Sequence, residues 1–295
     1  MVIVKLMGGL GNQMFQYAAA RRLAHFNNTN LKIDLSWFDN ICKVDSFREY
    51  ALDNFAVQKN FATREEVDAL KFRAQGFVEW FFTKAMKRQT GGAQSYIREK
   101  YFHFDPDILH LNDGVYLEGY WQSEKYFKDI EPIIRQEFTI KSEMNLKSLP
   151  IKNQIKTTNS VSLHIRRGDY VSNPHTIKFH GSCDEKYYFR CIEYLALKVK
   201  HPHFFIFSDD PEWTRDNLKL PYPTTVVDIN PPEKGYEDLN LMSLCKHHII
   251  ANSSFSWWGA WLNPDSDKTV IAPDRWFNKE DIDTTDLLPE SWIRL

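Results

Sequence analysis

His164-Ile165-Arg166-Arg167-Gly168-Asp169-Tyr170 is the stretch of this chain best equipped for chemistry. It follows the β-prone run Ser160-Val161-Ser162-Leu163, and its Gly and Asp end that strand. Side chains alternate along a strand, so His164 and Arg166 share one face while Ile165 points the other way into packing. Two arginines at the end of a buried strand are expensive to desolvate unless an anion meets them. A planar guanidinium matches phosphate oxygens bidentately, which suits a diphosphate held beyond the carboxyl ends of an open α/β sheet. A surface Arg–Asp pair closing a turn is the competing reading, and the motif alone does not decide between them.

Further polar groups fall at the ends of other strand-like runs. Phe204-Phe205-Ile206-Phe207 delivers Ser208, Asp209 and Asp210, which places carboxylates at the rim of a ligand crevice. Ile249-Ile250-Ala251 delivers Asn252-Ser253-Ser254-Phe255-Ser256 onto a helix. Hydroxyls and unpaired N–H groups at a helix start favour a phosphate. Asp238 opens the preceding helix, where it either accepts from a base or ribose hydroxyl or caps its own helix. At the amino end, Gly8-Gly9-Leu10-Gly11-Asn12-Gln13-Met14 links a strand to a helix. Its glycines let backbone approach a ligand, and Asn12 and Gln13 add side-chain donors. Asp34 after the next strand suggests a nicotinamide-dinucleotide fingerprint, but Met14 stands where the third glycine belongs.

The elements that must position these groups are alternating strands and helices. Strands are expected at 161–166, 203–208, 225–229, 247–251 and 268–272, with helices at 184–200, 211–218, 237–246 and 256–262. Such alternation with short crossovers makes a doubly wound parallel sheet. The first half begins strand, helix to about residue 26, strand at 31–35. It becomes helical and aromatic over 62–90, returns as a strand at 115–121, and continues as an amphipathic helix over 124–138. A polar segment at 141–160 reads as a linker. The expected fold class is therefore α/β, with two Rossmann-like domains, 1–150 and 151–295, facing a cleft.

Composition narrows the function. With 295 residues, 43% of them hydrophobic, the chain can bury one large or two medium cores. A net charge of −2 argues against nucleic acid as a partner. Cys42, Cys183, Cys191 and Cys245 lack metal-ligand or disulfide spacing and read as reduced cytoplasmic thiols. A strand at the very start leaves no room for a signal peptide, and no apolar run reaches membrane-spanning length. Phe77-Val78-Glu79-Trp80-Phe81-Phe82, followed by Lys84, Lys87 and Arg88, fits either a core helix or a segment lying at the inner membrane face. Asp105-Pro106-Asp107 matches a metal-holding Asp-x-Asp pattern, but its place in a polar turn favours a turn.

Gly8-Gly9-Leu10-Gly11-Asn12-Gln13, His164-Ile165-Arg166-Arg167-Gly168-Asp169-Tyr170 and Ser253-Ser254-Phe255-Ser256-Trp257-Trp258, in this order and spacing, resemble the α-1,2-fucosyltransferases, glycosyltransferase family 11, of bacterial type. The resemblance runs from residue 1 to about 280 and is weakest over 60–100. It implies a GT-B fold with an acceptor-side first domain and a donor-binding second domain. It further implies GDP-β-L-fucose as donor, the 2-hydroxyl of a terminal β-galactoside as acceptor, inversion, and no metal or other cofactor. By the same resemblance Arg166 holds the diphosphate, His164 and Asp238 the guanosine, and Ser253, Ser254 and Phe255 the phosphates. Asn12, Gln13, Arg167, Ser208, Asp209 and Asn252 complete the expected donor site. Related core fucosyltransferases carry a catalytic carboxylate where this chain has Pro174. Asp169, three residues past Arg166, is the candidate base, and binding Arg167 or loop N–H groups is its alternative role. A fucosyltransferase of α-1,6 or protein O-linkage, a nicotinamide-dependent oxidoreductase and a non-catalytic sugar-binding module are the competing functions.

Overall fold

The computed structural model describes residues 1–39, 48–72, 95–168, 178–179, 181–279 and 281–295. Asp169, Tyr170, Pro174, Cys42 and the aromatic–basic segment 77–88 lie outside the described residues. The chain divides into two compact units, Met1–Thr139 and Ile140–Leu295.

The first unit is built on a four-stranded parallel sheet of order β2-β1-β4-β3. Its strands are β1 (Val2–Lys5), β2 (Leu31–Asp34), β3 (Tyr96–Arg98) and β4 (Val115–Glu118). Gly8, at φ +76°, makes the turn out of β1 that a side chain would strain, and α1 (Leu10–Phe26) follows. A one-turn helix, α2 (Ser36–Asp39), follows β2. Within the expected helical region 62–90, α3 (Arg64–Lys71) starts on a reciprocal Thr63–Glu66 capping box. Its Val67 and Leu70 pack on Ile3 and Tyr116, covering one face of the sheet.

The amphipathic helix expected over 124–138 is not continuous. Two 3-10 turns, Glu124–Tyr126 and Lys128–Ile130, precede α4 (Glu131–Glu137). Pro132 explains the break: it has no N–H to donate and its ring clashes with the carbonyl four residues back, so it fits only a first helical turn. The expected linker 141–160 is also structured. Residues 148–157 form α5 (Ser148–Thr157), whose buried Ile155 and partly buried Ile151 pack against the second unit's sheet between polar neighbours that hide the pattern.

The second unit carries a six-stranded parallel sheet of order β10-β9-β8-β5-β6-β7. Its strands are β5 (Asn159–Ile165), β6 (Pro202–Ser208), β7 (Thr224–Val227), β8 (His247–Ile249), β9 (Val270–Ala272) and β10 (Ile293–Arg294). Strand alternation sorts the core into two faces. Val161, Leu163, Ile165, Phe204 and Ile206 pack under α6 (Glu185–Lys198). Phe205, Phe207 and Val227 face the other way, with Ile155 of α5 and with Leu241 and Met242 of α8 (Gly235–Ser243). Between them in the chain, α7 (Pro211–Asn217) sends Trp213 to the α6 face. From β5 the chain steps to β6 and β7 on one side, then returns through α8 to place β8 on the other side of β5. The carboxyl ends of β5 and β8 therefore flank the sheet's topological switch point, where open α/β sheets bind ligands. The last helix, α9 (Ser254–Trp261), packs closely on α8, its Gly259 lying against Met242.

Candidate active site

The parallel register aligns Ile165 of β5 with Ser208 of β6, so the residues that follow them emerge side by side. Arg166 Nη1 sits 2.9 Å from Asp209 Oδ2, each side chain about three-quarters buried. The other Asp209 oxygen accepts the Arg167 backbone N–H at 2.8 Å. A methyl group on Gly168 would come within 2.7 Å of Asp209 Oδ2, so only glycine leaves room for this arrangement. Asp209 thus holds the β5 turn and presents Arg166 at the strand end. Asp210 caps α7 by accepting from Trp213 N, while Ser208 Oγ accepts from Asp210 N. The Arg167 guanidinium lies 3.7 Å over the Trp213 ring, with Nε 3.5 Å from Asp210 Oδ2.

His164 is buried on the face opposite Ile165, as strand alternation requires, and its ring packs 5.5 Å from that of Phe255. Its Nδ1 is a buried atom without a hydrogen-bond partner. Burial pushes its pKa down to about 4, with the Asp209 carboxylate opposing the fall and the Arg166 guanidinium adding to it. The imidazole is therefore neutral at pH 7, able to donate from one nitrogen and accept at the other.

Ser253 is the N-cap of α9 without a side-chain capping bond, and Ser254 and Phe255 form the first turn. Their N–H groups sit where a helix start offers donors to an anion. Ser256 points elsewhere: its hydroxyl donates to the Ala251 and Ser253 carbonyls in the interior. Phe255 lies beside Gly235 at the start of α8, which brings α8 to the same neighbourhood as His164. Asp238 does not open α8, which begins at Gly235; its Oδ1 accepts from Asn230 Nδ2 at 2.8 Å. Burial raises its pKa to about 6, and the neighbouring Glu237 and Asp228 push in the same direction. Glu237 itself is buried with Oε1 on Asn145 N, a contact that sequence patterning gave no sign of.

Two residues expected to meet the donor are committed to the scaffold. Asn252 is buried, and its amide donates to the carbonyls of Gly181 and Trp276, clamping two loops. Gln13 is fully buried in the first unit, donating to Gly8 O and Glu49 O while accepting from Ala51 N. The reason is common to both: loop backbone groups have no strand or helix partner, and a buried amide satisfies several at once. Asn12, also in the first unit, accepts from Gln122 Nε2 at 2.8 Å. Asp34 has both oxygens engaged, one by Ser36 N and one by the Tyr116 hydroxyl, which removes the ribose contact of the nicotinamide reading. Asp105 is the N-cap of a 3-10 turn and accepts from Asp107 N, as the turn reading of Asp105-Pro106-Asp107 anticipates. Among the described residues no helix is long and apolar enough to cross a membrane.

The depressed His164 pKa gives a test of this burial. An unfolded His takes up a proton near pH 6.5, whereas the folded one does so only near pH 4, so stability falls as pH drops through that window. Between pH 7.5 and pH 5 the wild type should lose about 2 kcal/mol more stability than His164→Asn, read by urea unfolding. Equal losses in the two proteins would place His164 in solvent.

Comparison with known proteins agrees with this architecture. The model of Glycosyl transferase family 11 matches residues 1–295. An alpha-1,2-colitosyltransferase of Escherichia coli is 36% identical over 100% of this chain and 98% of its own length. The O-antigen biosynthesis glycosyltransferase WbnK of Escherichia coli is 33% identical over 98% of this chain and 99% of its own. The galactoside 2-alpha-L-fucosyltransferase SEC1 of Bos taurus is 24% identical over 88% of this chain and 63% of its own. Among solved structures, fucosyltransferase NodZ from Bradyrhizobium superposes with a TM-score of 0.51 at 14% identity, over 89% of this chain and 92% of that one. The fold is α/β of GT-B type. The chain belongs to glycosyl transferase family 11.

Proposed function

We propose that the protein transfers L-fucose from GDP-β-L-fucose to the 2-hydroxyl of a terminal galactose, with inversion and without a metal ion. The observation that carries this reading is the pairing of Arg166 with Asp209 beside the start of α9, at the switch point of the second unit's sheet. That geometry is suited to a diphosphate whose charge grows as the glycosidic bond breaks. Arg166 and the α9 N–H groups of Ser254 and Phe255 take the departing GDP, and Arg167 adds its charge to the same field. Neutral His164, packed beside Phe255, and the Asp238 carboxylate receive the nucleoside, a guanine offering N–H donors that a carboxylate accepts.

The acceptor oxygen attacks the anomeric carbon as the bond to the β-phosphate breaks, and its proton passes to a base. Inversion puts that base on the face opposite the leaving phosphate, so GDP cannot collect the proton. Asp169, which follows Gly168 in the chain, is the carboxylate assigned to this step. The full-length likeness to a colitosyltransferase supports a second reading, in which the donor sugar is L-colitose, the 3-deoxy relative of L-fucose. Parallel assays with GDP-fucose and GDP-colitose on terminal β-galactosides separate the two. Faster transfer of fucose supports the first, and faster transfer of colitose installs the second.

Arg166→Ala should lower transfer about a hundredfold, on the order of 3 kcal/mol of lost transition-state stabilisation, in a protein that stays folded. Arg166→Lys should also be poor, because an ammonium lacks the bidentate fork. Near wild-type rates from a folded Arg166→Ala protein would remove the residue from the mechanism. Transfer should also survive excess EDTA. Complete loss in EDTA, restored only by magnesium or manganese, would return Asp105 and Asp107 to the catalytic candidates.

A further inference from the structure

The connection between β3 and β4 runs from Glu99 to Gly114 and contains only the 3-10 turn Pro106–His110, where a parallel crossover ordinarily supplies a helix. The face of β3 and β4 turned away from α3 is the face that carries Ile97 and Val115. A cavity of about 730 Å³ lies there, under this connection. That volume falls in the range of small-ligand sites. Its lining is mixed, with Ile97, Ile108 and Trp121 beside ionisable groups. A void in an apolar core would be dry, whereas a polar one this large is filled by water or a ligand.

We infer that this cavity in the first unit is a saccharide-binding pocket, which a neutral β-galactoside enters by stacking on Tyr101; the inference rests on the glycosyl-transfer reading above. Charge argues for a neutral polyol over a phosphate. Arg98 and Lys100 stand against Asp105, Asp113 and Glu99, whose carboxyl is pushed up to about 7, so the lining carries little net charge. Anions gain nothing from such a lining, while sugar hydroxyls can donate to its carboxylates and accept from its cations. Tyr101 supplies the apolar half of sugar recognition. It is 61% exposed, with its ring stacked at 5.1 Å and 12° on His103, so the phenol is braced at the rim as a flat platform. The C–H face of galactose is complementary to such a ring.

Glu99 fixes the inner wall. Its two oxygens accept the N–H groups of Tyr120 and Trp121 at 2.7 and 2.9 Å, which holds Trp121 in its left-handed conformation at φ +54°. Burial lifts its pKa to about 7, while the two N–H donors favour the ionised carboxylate and oppose the rise. The buried Trp121 indole N–H has no protein partner in this wall.

The test uses N-acetyllactosamine as probe with two variants of the whole protein, Tyr101→Ala at the rim and Ile108→Trp to fill the cavity. Melting temperature checks folding and calorimetric titration with GDP checks the donor site. Expected is a tenfold or greater rise in acceptor KM for both variants, with the Kd for GDP within twofold of wild type. Unchanged KM in the folded variants overturns the inference. If Ile108→Trp does not fold, Tyr101→Ala at its exposed position decides. If the wild type transfers no sugar to galactosides, the proposed function fails, and ligand-observed NMR with neutral mono- and disaccharides takes over as the readout. A sugar signal that Tyr101→Ala abolishes then sustains the pocket, and no sugar signal from the wild type overturns it.

Discussion

A pair of opposite charges at the ends of two neighbouring strands organises the second unit. Arg166 and Asp209 are each about three-quarters withdrawn from water, and each offsets part of the other's desolvation cost. Their meeting depends on the register between β5 and β6, and that register depends on apolar alternation. A one-residue slip of β5 would turn Val161, Leu163 and Ile165 away from α6 and expel His164 from beside Phe255. The packing that holds the sheet and the geometry that holds the proposed anion site are consequences of one pattern. Asp209 then does two things at once, pairing with Arg166 and fixing the Arg167 N–H, so the cation is presented in one orientation before any ligand arrives.

Much of this frame was legible in the sequence because it rests on strong local signals. Expected strands at 161–166, 203–208 and 247–251 correspond to β5, β6 and β8, since β-branched and aromatic runs bounded by polar residues have few other uses. The helix ending at residue 26 and the serine-rich start of α9 were equally plain. Boundaries failed where a single residue overrode the periodicity, as Pro132 did for the helix expected from residue 124. They failed again at α5, where Ile151 and Ile155 anchor a helix that its polar composition disguises as a linker.

Side-chain roles were less legible than strand ends. An amide that binds a ligand and one that ties down a loop have the same residue type and the same position in a motif. Gln13 and Asn252 could not be told from donor-site residues until their partners were located. The same holds for Asp238, whose carboxylate meets Asn230 eight positions earlier in the chain rather than its own helix terminus. In contrast, Glu99 and the cavity it lines had no motif at all. They arise from a long crossover that lacks a helix, a feature of chain path and not of any local pattern.

The proposed anion site is formed by the segments following β5, β6 and β8. Amide hydrogen exchange of the whole protein with and without GDP measures this directly, because bound ligand slows local opening only where it adds contacts. Slowed exchange is expected at 164–168, at 208–210 and across the first turn of α9, with the β1–α1 turn at Gly8–Gly11 changed less. Protection confined to the β1–α1 turn, with the three second-unit segments unaltered, would contradict it.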